Sequence, residues 1–239
     1  MTRPHRTRRL SLLLIAALGG AFAFHCGSPP SPSTAAENYS APEIIRSTLH
    51  TYQSATRYED RGVRRSRGSL LERLFARFFN RGRATTFATR YDRGSGSFEI
   101  VTGGRTWRAE AVEGKGRLSK SGSAEVTKVD SMADVLSSLA GISSGASVSV
   151  PSLLWRRDED PSWLGKLQGV ERLPDVHSRG RNLLAIKGSS TAIDYELWID
   201  SADFTICRIV RRVHVKELRF EDVIDYTHVR IGGVTEPGS

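Results

Sequence analysis

The clearest alternation of apolar and polar residues runs from residue 193 to 215 and predicts a β-hairpin. In residues 193–200, apolar residues alternate with polar residues or tryptophan. This alternation has the period of a strand with one buried face. The residues of that apolar face are Ile193, Tyr195, Leu197 and Ile199. Four turn-prone residues, 200–203, precede a second run rich in β-branched residues, whose apolar face carries Cys207, Ile209, Val213 and Val215. The hairpin must bury this face against other elements.

Three stretches carry apolar residues at helical spacing. Residues 42–55 and 131–139 predict amphipathic helices, the second with a stripe of Met132, Val135, Leu136 and Leu139. Residues 69–80 predict a third, with arginines recurring on its polar side: Arg73, Arg77 and Arg81. This third helix is either a basic surface for an anionic membrane or a partner protein, or a packed helix with its arginines in solvent.

Strand patterns fill most of the remaining chain. Alternating runs, bounded by Gly-rich turns, are found at 85–91, 97–102, 105–112, 167–172, 182–187 and 220–231. A helix, several hairpins, a second helix and more hairpins predict an α+β domain with one curved antiparallel sheet, spanning residues 42–232.

The N-terminus has the layout of an export signal. Arginines at 3–9 precede a short apolar run, and Ala21-Phe22-Ala23 fits a cleavage site, so residues 1–23 are expected to be a signal peptide. Arg8-Arg9 leaves the twin-arginine route as an alternative to general secretion. Residues 24–41 are rich in Ser and Pro and are expected to be a disordered tether, with a flexible tail at 233–239. Cys26 follows the apolar run and is a candidate for lipidation.

Charge argues against a nucleic-acid partner. The net charge is +9, but four arginines lie in residues 1–23, and the remainder carries only +5. We expect a monomer with an ordinary charged surface.

No motif predicts chemistry. The six histidines form no metal-ligand spacing, although His214 and His228 are candidates for neighbours on adjacent strands. Residues 141–145 match G-x-S-x-G, but a helix precedes the motif where a strand is required. Asp194, Glu196 and Asp200 lie opposite a basic strand and predict cross-strand ion pairs, while Cys207 is expected to be a buried, inert thiol. We expect no catalytic residue, no metal and no cofactor.

Several segments resemble the LolA-like extracytoplasmic lipoprotein-carrier superfamily, which includes lipid-binding lipoproteins. They are the first helix running into residues 54–62, the strand 87–91, and the hairpin of 195–200 with Arg208-Ile209. The resemblance covers roughly residues 42–232. It implies a half-barrel, a strongly curved antiparallel sheet whose concave face is covered by helices and holds acyl chains. It also implies a location in the periplasm or outer cell envelope, and a lipid or an acylated protein as partner.

Large apolar residues on the predicted strands are candidates for the wall of such a cavity: Tyr91, Phe98, Trp107, Leu154, Tyr195, Leu197 and Ile199. They either line a pocket or fill a closed core. Three functions remain open: a non-enzymatic binder or carrier of acyl chains, an envelope-anchored protein-interaction module on the same scaffold, and, least favoured, a serine hydrolase.

Overall fold

The computed structural model describes residues 39–68, 84–112, 115–143, 149–155, 162–215 and 218–233, all within one compact unit, Thr34–Ser239. Their helices are α1 (Ala41–Ser54), α2 (Met132–Ser143), α3 (Pro151–Leu154) and a 3₁₀ helix (Trp163–Lys166). Their strands are β1 (Arg57–Gly68), β2 (Thr85–Asp92), β3 (Ser97–Thr102), β4 (Arg105–Val112), β5 (Lys115–Lys120), β6 (Val126–Val129), β7 (Gln168–Ser178), β8 (Arg181–Ser190), β9 (Ile193–Asp200), β10 (Ile206–Val215) and β11 (Leu218–Gly232).

These eleven strands form one open, curled antiparallel sheet. Its order is β6-β5-β4-β3-β2-β1-β11-β10-β9-β8-β7, so two meanders meet where β1 pairs with β11. Side chains alternate between two faces. We call inner the face that carries Tyr58, Phe98 and Leu197, and outer the face that carries Arg90 and Arg212. The α+β class and the antiparallel sheet agree with the prediction.

Local chemistry explains where α1 begins. The Glu43 carboxylate accepts hydrogen bonds from the backbone N–H of Ser40, at 2.8 Å, and from its hydroxyl, at 2.6 Å. These bonds lower the pKa of Glu43 below its usual value. The predicted helix at 42–55 is therefore confirmed within one residue at each end.

The predicted hairpin is confirmed as β9 and β10, with one correction. The ladder between these strands shifts register between Ile206 and Arg208, so Cys207 is the extra residue of a β-bulge. Ile206 and Ile209 are both fully buried, whereas Cys207 is half-buried with its Sγ 3.8 Å from Arg181 Nη1. The prediction that Cys207 lies buried on the apolar face was wrong, because the bulge breaks the alternation.

Ion pairs tie the strands together across the outer face. Arg212 lies 3.1 Å from both Glu196 and Glu221, which confirms the ion pair predicted for Glu196. His214 Nε2 lies within hydrogen-bond distance of Asp194, at 3.0 Å. Asp200 pairs instead with Arg181 of β8, at 3.3 Å. His214 and His228 are not neighbours, because they lie opposite Arg219 and Arg61. Exposed pairs of this kind contribute little stability each but favour one register.

Strands β5 and β6 were not predicted, since their sequences hold few apolar residues: Leu118 is the one large apolar side chain of β5. Gly116 of β5 is where α2 approaches closest. A Cβ there would overlap the Ser131 carbonyl oxygen and the Val135 side chain at the start of α2. The absence of a side chain at Gly116 thus allows α2 to pack on the sheet.

We expect Gly116→Ala to lower the free energy of unfolding by about 1–3 kcal/mol, because α2 must shift to accommodate the methyl group. Gly232→Ala is the control, since its Cβ would stand 3.6 Å from the nearest atom, Arg57 Cβ. Urea unfolding measures both. Equal losses in the two variants would contradict the close approach of α2 to β5.

Candidate functional site

The inner face of strands β1–β4 carries an aromatic wall. Tyr58, Phe87, Tyr91 and Phe98 are each at most 6% exposed. The rings of Tyr91 and Phe98 stack with their centroids 4.5 Å apart. The alternation of each strand therefore places one continuous apolar surface on this side of the sheet.

The inner face of β8–β10 is an aliphatic wall. Six of its residues have no exposed surface: Leu184, Ile186, Leu197, Ile199, Ile206 and Ile209. They form one hydrophobic cluster with the aromatic wall.

The helices supply the other side of this cluster. Ile44 and Tyr52 of α1, Leu153 and Leu154 of α3, and Leu164 of the 3₁₀ helix are essentially unexposed. The predicted stripe of α2 (Met132, Val135, Leu136 and Leu139) is buried in the same cluster. Tyr52 is also anchored by its hydroxyl, which accepts a hydrogen bond from the backbone N–H of Ile206 at 2.8 Å.

All seven predicted cavity residues come together in this cluster. Tyr91, Phe98, Leu154, Leu197 and Ile199 are buried within it, and Trp107 and Tyr195 are half-buried against it. Side chains therefore fill the region in the described structure. The other predicted residues (Cys26, Arg73, Arg77 and Arg81) lie outside the described residues.

Tryptophans at the margin of the cluster were not predicted as site residues. The rings of Trp163 and Tyr195 stack with their centroids 4.9 Å apart. The ring centroids of Trp155 and Phe98 are 6.4 Å apart. Both are only partly buried. Trp163 is fixed by a 2.8 Å hydrogen bond from its indole N–H to the Ser149 carbonyl. Amphipathic aromatics at an apolar margin are suited to contact both lipid and water.

A charged group also lies on the inner face, next to Tyr195. The Asp222 carboxylate lies 2.6 Å from Arg64 Nη2 and 3.1 Å from Arg211 Nη2, and it accepts a hydrogen bond from Ser66. Arg211 stands directly opposite Tyr195 in the β9–β10 ladder. Buried ion pairs of this kind break at a cost of about 3–5 kcal/mol when one partner is removed, so this group restricts how the strands can pair.

A second buried acid, Asp60, is held next to the aromatic wall. It is 2% exposed, and its Oδ2 accepts a 2.7 Å hydrogen bond from the Tyr58 hydroxyl. Burial raises the pKa of Asp60 to about 7, an effect that the bond from Tyr58 partly opposes. Burial and the Asp60 charge raise the pKa of Tyr58 well above its usual value, so Tyr58 stays protonated and donates.

A groove of about 610 Å³ is lined in part by Tyr91 and Phe98, but charged residues of the outer face form most of its lining. They are Arg57, Glu59, Arg90, Asp92, Glu99, Arg108 and Arg230. Burying an alkyl chain there would desolvate charges without replacing their hydration, so this groove is a poor site for an acyl chain.

The G-x-S-x-G match does not have the strand-to-helix context of a nucleophile elbow in the described residues. Ser143 of the G-x-S-x-G match is the last residue of α2, and no strand leads into it. No group of metal-binding side chains is found in the described part of the chain. Nor is any helix within the described ranges long and apolar enough to span a membrane.

No protein-family model and no curated protein matches the chain, but solved structures of similar fold exist. An uncharacterized conserved protein from Thermus thermophilus is 11% identical with a TM-score of 0.45, covering 82% of this chain and 90% of that one. The Mycobacterium tuberculosis lipoprotein LppX is 10% identical with a TM-score of 0.45, covering 83% and 97%.

A LolA superfamily protein from Nitrosomonas europaea is 7% identical with a TM-score of 0.34, covering 80% of this chain and 93% of that one. A member of the superfamily is thus among the structures that the chain resembles, as the sequence predicted. At these identities and scores the likeness says nothing about ligand or activity.

Asp60 predicts a specific pH dependence of stability. The unfolded carboxyl titrates near 3.8 and the folded one near 7, so between these values the folded state holds the extra proton. Asp60 therefore adds to the free energy of unfolding below pH 4. This contribution falls by about 1.4 kcal/mol for each pH unit as the pH rises from 4 to 7.

We expect Asp60→Asn to remove this slope, because the amide does not titrate. The measurement is the free energy of unfolding in urea at several pH values from 4 to 8, for the variant and the wild type. Asp130→Asn, at an exposed position, serves as the control and should keep the wild-type slope. A parallel pH profile for Asp60→Asn and wild type would contradict the raised pKa.

Proposed function

We propose that this chain is an exported, non-enzymatic protein of the cell envelope that binds lipid acyl chains between the inner face of its sheet and helices α1, α2 and α3. In this proposal the inner face is the concave face of a half-barrel, and the helices cover it. The single observation that carries it is the continuous hydrophobic cluster that joins the aromatic and aliphatic walls to all three helices.

Binding requires the helices to move, because Leu154, Leu197 and Ile199 have no exposed surface within the cluster. Each buried methylene contributes about 0.8 kcal/mol, so roughly ten methylenes provide about 8 kcal/mol to offset the helix contacts that are lost. The partly exposed aromatics Trp163 and Tyr195 mark the margin where a chain would enter. Anchoring through Cys26 and membrane contact through Arg73, Arg77 and Arg81 remain part of the proposal.

A second candidate is a protein-interaction module on the same scaffold that binds no lipid. Leu154, Leu197 and Ile199 favour it, because they have no exposed surface and pack as an ordinary core does. A lipid found in the purified protein separates the two candidates.

We expect native mass spectrometry of protein purified from membranes to show a species heavier by the mass of a lipid. Unfolding the same sample in organic solvent should release that lipid. The apo mass alone, from protein that also takes up no added fatty acid, would favour the interaction module.

Tyr195 is the position that tests the site without unfolding the domain. A charge at Leu197 would be buried and unpaired, and would unfold the protein whether or not lipid binds there. Tyr195→Ser instead removes a half-buried ring from the inner face and leaves Trp163 without its stacking partner. We expect this variant to bind a fluorescent fatty acid at least tenfold more weakly.

Val101→Ser is the control, since Val101 is a half-buried apolar residue that lies on the outer face of β3. Each substitution is expected to cost about 1–3 kcal/mol of unfolding free energy, so stability does not distinguish them. Binding that falls equally in both variants, or in neither, would contradict the assignment of the inner face as the site.

A further inference from the structure

A small pocket opens on the outer face of the sheet. Its volume is about 140 Å³, and it lies where the turn between β7 and β8 meets β9, β10 and β11. Its lining includes three arginines (Arg179, Arg181 and Arg208), one carboxylate (Asp225), and Trp198 and Cys207.

Backbone irregularities bring three arginines to this pocket. Arg179 lies in the β7–β8 turn with φ of 53°, a conformation that non-glycine residues rarely adopt. Arg181 begins β8, and Arg208 follows the β-bulge at Cys207. A turn and a bulge, which are the features that re-aim side chains, thus place these guanidinium groups together.

Arg208 is held in a fixed orientation. Its guanidinium lies 4.2 Å above the Trp198 ring, and its Nε donates a 2.6 Å hydrogen bond to Asp225. The two terminal nitrogens of Arg208 are not used by this bond. Because the stacking and the ion pair already restrict the side chain, little entropy is lost when those nitrogens bind a ligand.

Positive charge exceeds negative charge around the pocket. Asp225 is shared by Arg65 and Arg208, each at 2.6 Å, and Asp200 lies 3.3 Å from Arg181. Arg179 forms no ion pair with any residue that the structure describes. The lining itself holds three arginines and one carboxylate, Asp225, while the charges of Asp200 and Asp203 also act on Cys207. The excess of positive charge in the lining attracts an anion.

The geometry points to a binding site for a phosphate group in this pocket, held by Arg179, Arg181 and Arg208. Guanidinium groups match tetrahedral oxyanions because they donate in a planar fork, and the hydroxyl of Ser178 adds a neutral donor to the lining. The volume admits a single phosphate group, since water occupies about 30 Å³ in the liquid. The phosphate is either a free anion or the headgroup of a phospholipid. This site does not depend on acyl-chain binding at the inner face.

Cys207 provides a local reporter, because its thiol lines the pocket and is half-buried. The full-length protein with Cys26→Ser has Cys207 as its single thiol. We expect inorganic phosphate, at constant pH and at an ionic strength held with sodium chloride, to slow the reaction of Cys207 with iodoacetamide at least fivefold and in a saturable way. Vesicles of phosphatidic acid, compared with vesicles of phosphatidylcholine, test the headgroup as the source.

Arg179→Ala, an exposed turn residue, should abolish the protection and leave the circular dichroism spectrum unchanged. Arg105→Ala is the matched control, since Arg105 is also an exposed arginine beside a hairpin turn, and it should keep full protection. Protection by phosphate assigns the free anion, and protection by phosphatidic acid vesicles alone assigns the lipid headgroup. Absence of protection by both, or protection that survives Arg179→Ala, would overturn the proposal.

Discussion

The need to bury one face of an eleven-stranded sheet governs the rest of this structure. The inner face is mostly apolar from β1 to β4 and again from β8 to β10, and water must be excluded from both walls. The helices that pack in the same cluster are short, since α1 has 14 residues, α2 has 12 and α3 has 4. They contact the walls through a few anchors, such as Tyr52 of α1, whose hydroxyl is bonded to the backbone of β10. A layer of short helices is easier to displace than a second sheet, and the proposed function depends on this difference.

Charged residues confine the possible arrangements of the sheet. On the outer face, ion pairs such as Arg212 with Glu196 and Glu221 link strands at one register. On the inner face, Arg64, Arg211 and Asp222 form a buried group that a shift of one residue would separate. The sheet is thus fixed by polar contacts, while the helices rest on it mainly through apolar ones. Movement in response to a ligand is accordingly expected in the helices.

Sequence predicted those elements whose apolar period is unbroken. Strands β3 and β4 were placed with correct bounds, and the stripe from Met132 to Leu139 identified α2, because strong periodicity reflects burial on one face. The sequence did not predict β5 and β6, because these strands carry little apolar surface. It also assigned Cys207 to the wrong face, because the position of a β-bulge cannot be read from the residue pattern. The pairing of Arg64 with Asp222 joins residues 158 positions apart and depends on β1 meeting β11, so it was not predicted. The sequence identified seven residues that the structure places in one hydrophobic cluster. Only the structure shows that five of them are buried there and two are half-buried against it.

The most direct test of the central claim is to locate a bound acyl chain. A fatty acid with a photoreactive group near its methyl end is cross-linked to the full-length protein, and the modified peptides are identified by mass spectrometry. We expect adducts on inner-face residues of β3 and β9, such as Phe98 and Leu197, together with residues of α2 or α3, and competition by unlabelled fatty acid. Adducts confined to outer-face residues, or labelling that unlabelled fatty acid does not reduce, would contradict it.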